Sequence, residues 1–146
     1  MVSPSSKYKI LVTDYVWPST ALEREVLAKI GAEIIEAPDP SEDTLATLAK
    51  DADGIMTCFA QVTPRVVEAA KKCVVISRYG VGVDNIDLDA ASERGVVVSN
   101  QPGKIAPIVA EHIVGLMFAA AKRVSFQTRE LRAGRGTRRE NILLQG

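Results

Sequence analysis

The chain has 146 residues, of which 47% are hydrophobic and 25% are charged. These values are ordinary for one globular domain with a small appendage, and they exclude a disordered chain, a collagen-like repeat and a disulfide-rich miniprotein. The net charge is zero but unevenly spread, because residues 1–121 carry a net charge of −5 (11 Lys and Arg against 16 Asp and Glu) and residues 122–146 carry +5 (7 against 2).

Hydrophobic periodicity and turn residues predict five strands that alternate with helices. The predicted strands cover residues 7–13, 32–36, 54–58, 73–77 and 96–99. The predicted helices cover residues 20–30, 41–50, 63–72, 88–94 and 107–131. Start signals are Ser19 or Thr20, Ser41, Thr63-Pro64 and Asp87, and Gly31 and Gly95 are stop signals. This alternation predicts an α/β fold, with an open parallel sheet and helices on both faces.

The last predicted helix is unlike the others, because residues 108–121 are apolar on nearly every side. A helix over residues 107–131 would be roughly 37 Å long, and one small sheet covers only one side of such a rod. We therefore expect a second partner, either another domain or another copy of the chain. The alternative is a helix buried in the core of its own domain.

Other features of the chain exclude several partners. No apolar run reaches roughly 18 residues and the first residues lack a signal-peptide pattern, so we expect no membrane partner. The spacing of Cys58 and Cys73 fits no metal or redox motif, which favours a cytoplasmic location. The basic segment over residues 122–146 contains one aromatic residue, Phe126, and no nucleic-acid recognition motif. A solvated helix end is therefore favoured over nucleic-acid binding.

Two pieces of the chain, VISRYGVGVDNIDLDAASERGVVVSNQPG and VAEHIVGLMFAAAKR, resemble the NAD-dependent D-2-hydroxyacid dehydrogenase family, which includes phosphoglycerate dehydrogenases. The segment DADGIMTCFAQVTPRVVEAAKK is similar to the strand, loop and helix that precede them in that family. The resemblance covers essentially residues 7–135. It implies a flavodoxin-like substrate domain over residues 1–106, an interdomain helix over 107–133 that forms a homodimer through 107–131, and a linker or tail over 134–146.

The resemblance also implies site residues. The family binds the substrate carboxylate partly with backbone N–H groups at the positions of Gly80, Val81 and Gly82, and successive N–H groups do form concave anion sites. Without the resemblance, a ligand-free glycine turn is the simpler interpretation. Asp84 and Asp87 are interpreted as loop-fixing and helix-capping residues.

Two further positions follow from the same resemblance. The family often has Arg-Ser in the loop that here contains Cys58 and Phe59, so Phe59 is a candidate substrate contact while the identity of the substrate stays open. Ile105 and Ala106 match positions near the nicotinamide in complete enzymes, which makes them candidate cofactor-binding residues.

A dinucleotide fingerprint of the form GxGxxG is missing, because GVGVDN and AGRGTR both lack the third glycine. The only histidine, His112, lies in the AEH motif and is interpreted as a packed structural residue. The family's catalytic arginine, glutamate and histidine lie in or after the NAD domain. We therefore expect this chain alone to bind no cofactor and to be inactive, whereas the complete enzyme would use NAD for hydride transfer at C2 of a 2-hydroxy or 2-keto acid.

Three alternatives belong to other classes of protein. A naturally short, non-enzymatic dimeric module could have kept the fold as a binding or interaction protein. An FMN-binding flavodoxin needs a phosphate loop after the first strand, and DYVWPST has no glycine. A receiver-like domain needs clustered acids at strand ends, which Asp14 and Asp53 do not provide.

Overall fold

The structure is a computed structural model that describes residues 7–135. The chain divides into two compact units, Met1–Pro102 and Gly103–Gly146. The strands are β1 (Tyr8–Val12), β2 (Ala32–Glu36), β3 (Gly54–Thr57), β4 (Val75–Arg78) and β5 (Val97–Ser99). The helices are α1 (Ala21–Ala28), α2 (Glu42–Ala49), α3 (Pro64–Ala69), α4 (Leu88–Glu93), α5 (Ala106–Ala121) and α6 (Val124–Arg132). Most of the predicted tail, residues 136–146, lies outside the described residues.

The first unit contains one sheet of five parallel strands in the order β2-β1-β3-β4-β5. This is the flavodoxin-like strand order, so the α/β class and the five-stranded parallel sheet predicted from the sequence are confirmed. Because all strands are parallel, their carboxyl ends lie at one edge of the sheet, where ligands bind in open sheets of this kind.

One face of the sheet carries the hydrophobic core. Leu11, Ile55 and Ile76 stand side by side on neighbouring strands and are at most 1% exposed. They pack in one cluster with buried side chains of α2, α3 and α4. Burying a side chain of this size stabilises the fold by about 1.5–3 kcal/mol. The loops at the carboxyl edge therefore extend from a well-packed sheet.

The opposite face is covered less completely. Helix α1 packs against β2, and Val12 and Ile34 are buried. Farther along the same face, Ile10 and Val75 line an open cavity of about 610 Å³. Val97 of β5, the partner of Val75 in the sheet register, is 62% exposed.

The helix starts follow the predicted chemistry with one exception. The side chains of Ser41, Thr63 and Asp87 each accept a hydrogen bond from the backbone N–H three residues later. Thr20 precedes α1 but makes no such bond, because its hydroxyl donates to Glu36 instead. Three of the four helices in the first unit are therefore capped as their sequences predict.

The second unit differs from the prediction, because the single helix expected over residues 107–131 is not found. It is replaced by α5 and α6, which pack against each other. The break is at Arg123, which has a left-handed backbone conformation with φ of 51°. Its guanidinium lies 4.5 Å from the ring centroid of Phe126, a cation–π contact that accompanies the turn. The long C-terminal apolar helix is thus not confirmed.

Candidate anion-binding site

The candidate site lies at the carboxyl edge of the sheet, where the loops after β1, β3 and β4 meet. The N–H of Thr13 donates to the carbonyl of Met56 and the N–H of Tyr79 donates to that of Thr57, both at 3.0 Å. These bonds extend the pairing of the strands past their ends. The loops that carry the candidate residues therefore begin from fixed positions.

The loop of Gly80, Val81 and Gly82 is held by its carbonyl groups. The carbonyl of Gly80 accepts the N–H of Gln101 at 2.9 Å, and the carbonyl of Val81 accepts the side-chain amide of Asn100 at 2.7 Å. Both donors follow β5. In a trans peptide the N–H points opposite to the C=O, and there are no cis peptides here. The N–H groups of Val81 and Gly82 therefore point away from Asn100 and Gln101.

These N–H groups have no acceptor of their own. Within residues 7–135, the N–H groups of Gly80, Val81 and Gly82 donate no hydrogen bond. Gly80 is buried, whereas Val81 and Gly82 are exposed. Neighbouring backbone donors that are left unpaired suit an anion with two oxygens, such as a carboxylate. The three loop residues predicted from the sequence therefore offer unpaired backbone donors within the described residues.

Arg78 is the last residue of β4 and lies two residues before Gly80, where this loop begins. A Cβ atom added to Gly80 would lie 1.5 Å from Nη1 of Arg78, so the guanidinium occupies the space that any other side chain would need. The guanidinium carbon also lies 5.7 Å from the ring centroid of Phe59. Phe59, predicted as a substrate contact, is 62% exposed and stands beside this cation.

Asp14, after β1, organises the neighbouring loop. Its carboxylate accepts the N–H of Cys58 at 2.9 Å, the N–H of Phe59 at 2.7 Å and the hydroxyl of Thr13 at 2.8 Å. Partial burial works to raise the pKa of Asp14, but these hydrogen bonds outweigh it and leave the pKa below its ordinary value. Asp14 is therefore a charged anchor that fixes the backbone on which Phe59 stands.

Asn85 and Asp87, which follow the loop, have separate structural roles. Asp87 caps α4 by accepting the N–H of Ala90 at 2.8 Å, as predicted. The side chain of Asn85 donates to the carbonyl of Ala60 at 2.8 Å, and Val62 donates its N–H to the carbonyl of Asn85 at the same distance. This segment therefore ties the loop after β4 to the loop after β3.

The remaining candidates lie in the second unit. Ile105 occupies the N-cap position of α5 and is 37% exposed, and Ala106 is the first residue of that helix. His112 is exposed on α5 and has no hydrogen-bond partner within the described residues, so the expected packing of this side chain is not found in this unit by itself. No residue of α5 is buried.

Other reactive side chains give no alternative site. Burial raises the pKa of the thiols of Cys58 and Cys73 and of the Tyr79 hydroxyl, so all three are protonated near neutral pH. Between residues 7 and 135, no group of three or more His, Cys, Asp or Glu side chains is placed to hold a metal ion. None of the helices in that span combines the length and apolar character that crossing a bilayer requires.

Three residues of the site were not predicted as site residues from the sequence, namely Arg78, Asp14 and Asn100. Asp14 acts on residues 44 and 45 positions away, and no local pattern reports such a contact. Arg78 lies two residues before Gly80, so a positive charge close to that motif was the available signal. Asn100, which follows β5, is a third residue whose role depends on a contact with a distant loop.

Comparison with known proteins gives the family of this chain. Residues 10–138 match the family described as D-isomer specific 2-hydroxyacid dehydrogenase, catalytic domain. The chain belongs to this D-2-hydroxyacid dehydrogenase family. Among curated proteins, it is 39% identical to the D-3-phosphoglycerate dehydrogenase of Methanocaldococcus jannaschii over 132 residues, which is 90% of this chain and 24% of that protein.

Two further relatives agree with this assignment. The hydroxypyruvate reductase of Thermotoga maritima is 39% identical over 95 residues, which cover 64% of this chain and 31% of that protein. The NAD+-bound structure of a 3-phosphoglycerate dehydrogenase from Entamoeba histolytica superposes with a TM-score of 0.69 at 32% identity, covering 82% of this chain and 40% of that chain. The chain spans about a quarter of the length of the Methanocaldococcus jannaschii protein.

Proposed function

We propose that residues 7–102 are the substrate-binding lobe of an NAD-dependent D-2-hydroxyacid dehydrogenase, and that the Gly80–Gly82 loop binds the substrate carboxylate. The observation that supports this most directly is the pair of N–H groups of Val81 and Gly82, which point away from their anchored carbonyl groups and have no acceptor within residues 7–135. Hydrogen bonds from such donors to a charged oxygen contribute about 1.5–3 kcal/mol each.

The reaction of the complete enzyme would be hydride transfer between nicotinamide and C2 of a 2-hydroxy or 2-keto acid. NAD, when bound, supplies the hydride acceptor. The loop's part is to hold the carboxylate and so fix the position of the adjacent C2 atom. In the complete enzyme, Ile105 and Ala106 would lie near the nicotinamide.

The glycine loop after β4 does not fit the pyrophosphate of a dinucleotide. The glycine loop after β4 leads to α4, whose first turn is already occupied by the carboxylate of Asp87. A pyrophosphate would need those N–H groups and would be repelled by that negative charge. We therefore assign no step of hydride transfer to the residues of this unit.

A homodimer through residues 107–131 is the second part of the proposal. Helix α5 exposes a large apolar surface, including Ile108, Val109 and Leu116, which are 66%, 47% and 56% exposed. A contiguous surface of this kind is typical of protein–protein interfaces. The two free cysteines, both buried, are compatible with the proposed cytoplasmic location.

The proposed carboxylate site is tested by titrating the ¹⁵N-labelled chain with D-lactate and, separately, with NADH. D-Lactate is expected to shift the amide signals of Gly80, Val81 and Gly82 with a dissociation constant in about the millimolar range, since a few backbone N–H groups alone hold its carboxylate. NADH is expected to leave them unshifted. An undisturbed loop at saturating D-lactate, or micromolar NADH binding, would overturn the proposal.

A further inference from the structure

One face of the sheet is only partly covered by helices within residues 7–102. Helices α2, α3 and α4 all bury side chains in the core cluster on the other face. The partly covered face has α1, which packs against β2 at one edge of the sheet. At the other edge, Val97 of β5 is 62% exposed. All-parallel sheets are found almost only with both faces covered, so the exposed part of this face is expected to have a partner.

This exposed part forms a groove beside α1. Leu22, Val26 and Ile30 are exposed and are spaced by four residues, so they lie along one side of α1 and the turn that follows it. A cavity of about 260 Å³ lies between Leu22, Val26 and Met56 of β3. A second cavity, of about 610 Å³, lies between Ile30 and Val75 of β4. We call this surface the α1 groove, with the apolar side of α1 as its wall and β3, β4 and β5 as its floor.

The dimensions of the α1 groove match one α-helix. Strands of a sheet lie about 4.8 Å apart, so β3, β4 and β5 together present a floor roughly 10 Å wide. A helix with its side chains is about 10–12 Å in diameter. The wall from Leu22 to Ile30 is roughly 12 Å long at about 1.5 Å per residue, so at least two turns of a docked helix would contact it.

Helix α5 has the complementary property, because it is apolar on several sides and none of its residues is buried. Successive residues lie roughly 100° apart around a helix. The exposed side chains of Ile108, Val109, Met117 and Phe118 therefore lie on four different sides of α5. Contact with α5 of a second copy would cover one of these sides. A groove with a wall and a floor covers two of them, which makes it the better partner for such a helix.

We propose that α5 of each copy docks in the α1 groove of a second copy. This inference rests on the proposed homodimer through residues 107–131, and it assigns the surface that receives α5. The arrangement is reciprocal, as a two-fold dimer requires, so the same association covers the groove and the helix of both copies. Each dimer then contains two equivalent contacts between an apolar helix and an apolar groove.

Disulfide formation between two chains of different mass tests the contact itself. One chain carries Val97→Cys on the floor of the α1 groove, and the other carries one cysteine on α5. The cysteine on α5 is placed in turn by four substitutions: Ile113→Cys, Val114→Cys, Leu116→Cys and Met117→Cys. At least one of the four mixtures is expected to give a mixed disulfide, because such a bond needs Cα atoms within about 7 Å of each other.

The matched control replaces Val97→Cys by Glu93→Cys, which places an exposed cysteine on α4. Helix α4 belongs to the other face of the sheet, so this chain should give no mixed disulfide with any of the four α5 variants. The mixed disulfide is identified by its mass. Since the two cysteines are on different chains, a bond formed within one chain cannot produce it.

Val26→Glu on the wall and Val97→Glu on the floor test the same contact through the stability of the dimer. Both valines are more than half exposed in a single copy, so the variants should fold, which circular dichroism checks. In the docked dimer each glutamate would be a buried, unpaired charge. Each substitution should raise the dimer dissociation constant about tenfold or more in sedimentation equilibrium, whereas Thr47→Glu on α2 should leave it unchanged.

The outcomes separate this inference from the proposed function. A stable wild-type dimer with no mixed disulfide in any of the four mixtures, or with an unchanged dissociation constant in both groove variants, overturns this inference and leaves the homodimer standing. A folded wild-type monomer overturns the homodimer and this inference together. None of these results bears on the carboxylate site of Gly80, Val81 and Gly82, which the D-lactate titration tests separately.

Discussion

At the scale of single residues, Asp14 fixes the backbone of a loop that is distant from it in the sequence. Its carboxylate holds two successive N–H groups of the loop after β3 and the hydroxyl of Thr13. We expect Asp14→Asn to lower the free energy of unfolding at pH 7 by about 1–3 kcal/mol. The substitution removes one of the two charged oxygens that accept the N–H groups of Cys58 and Phe59. Urea unfolding measures this, and Asp51→Asn, which removes an exposed ion pair with Lys72, should cost under about 1 kcal/mol.

The same residue predicts a dependence on pH. The hydrogen bonds of Asp14 lower its pKa in the folded state, so its stabilisation is complete above the unfolded-state pKa of about 3.9 and is lost as the pH falls through the lower folded-state pKa. The difference in stability between the wild-type chain and Asp14→Asn should therefore be largest near neutral pH and begin to narrow below about pH 4. A difference that widens with acid would contradict the assigned charge state.

The site at this scale was only partly predictable. The glycine loop was found from its own residues and the family resemblance, since the pattern is local. Arg78 could have been predicted, because its charge lies two residues from Gly80, but its position beside the ring of Phe59 depends on the folded structure. Asp14 and Asn100 act through contacts between different loops, and the predicted parallel sheet places those loops at one edge without indicating which atoms form hydrogen bonds.

At the scale of elements, local chemistry predicted the first unit well. Ser41, Thr63 and Asp87 cap their helices, and Gly31 and Gly95 take the positive φ that ends α1 and α4. Each of these signals involves residues within one turn of each other. The start of α1 differs because Thr20 is drawn to Glu36 across the fold, which no local rule includes.

The break between α5 and α6 is the main error of the sequence prediction. Residues 122–124, Lys-Arg-Val, contain no glycine, proline or asparagine, so nothing in them marks the end of a helix. The left-handed turn at Arg123 is accompanied by the stacking of Arg123 and Arg129 on the ring of Phe126.

The apolar surface of α5 gives a prediction about assembly. We expect light scattering to give the mass of a dimer for the wild-type chain, and we expect Leu116→Glu or Val109→Asp to give monomer or aggregate, because a buried unpaired charge is costly. Thr47→Glu adds the same charge to an exposed polar position of α2, outside residues 107–131, and should remain dimeric. A folded wild-type monomer in solution would contradict the proposed interface.

At the scale of the whole molecule, the chain corresponds to one part of a larger family architecture. It matches the family's catalytic domain over residues 10–138 and spans about a quarter of its first curated relative. Its first unit has an open carboxyl edge with unpaired donors, and its second unit has an apolar helix without a buried residue. Both features are typical of surfaces that are completed by something else, which agrees with a substrate-binding lobe.

The central claim is that the loop after β4 holds the substrate carboxylate, and a crystal structure of the chain with bound D-lactate tests it most directly. The claim predicts carboxylate oxygens within about 2.7–3.2 Å of the backbone nitrogens of Val81 and Gly82, with the carbonyl groups of Gly80 and Val81 still bonded to Gln101 and Asn100. D-Lactate held elsewhere, with those two N–H groups left without it, would contradict the claim.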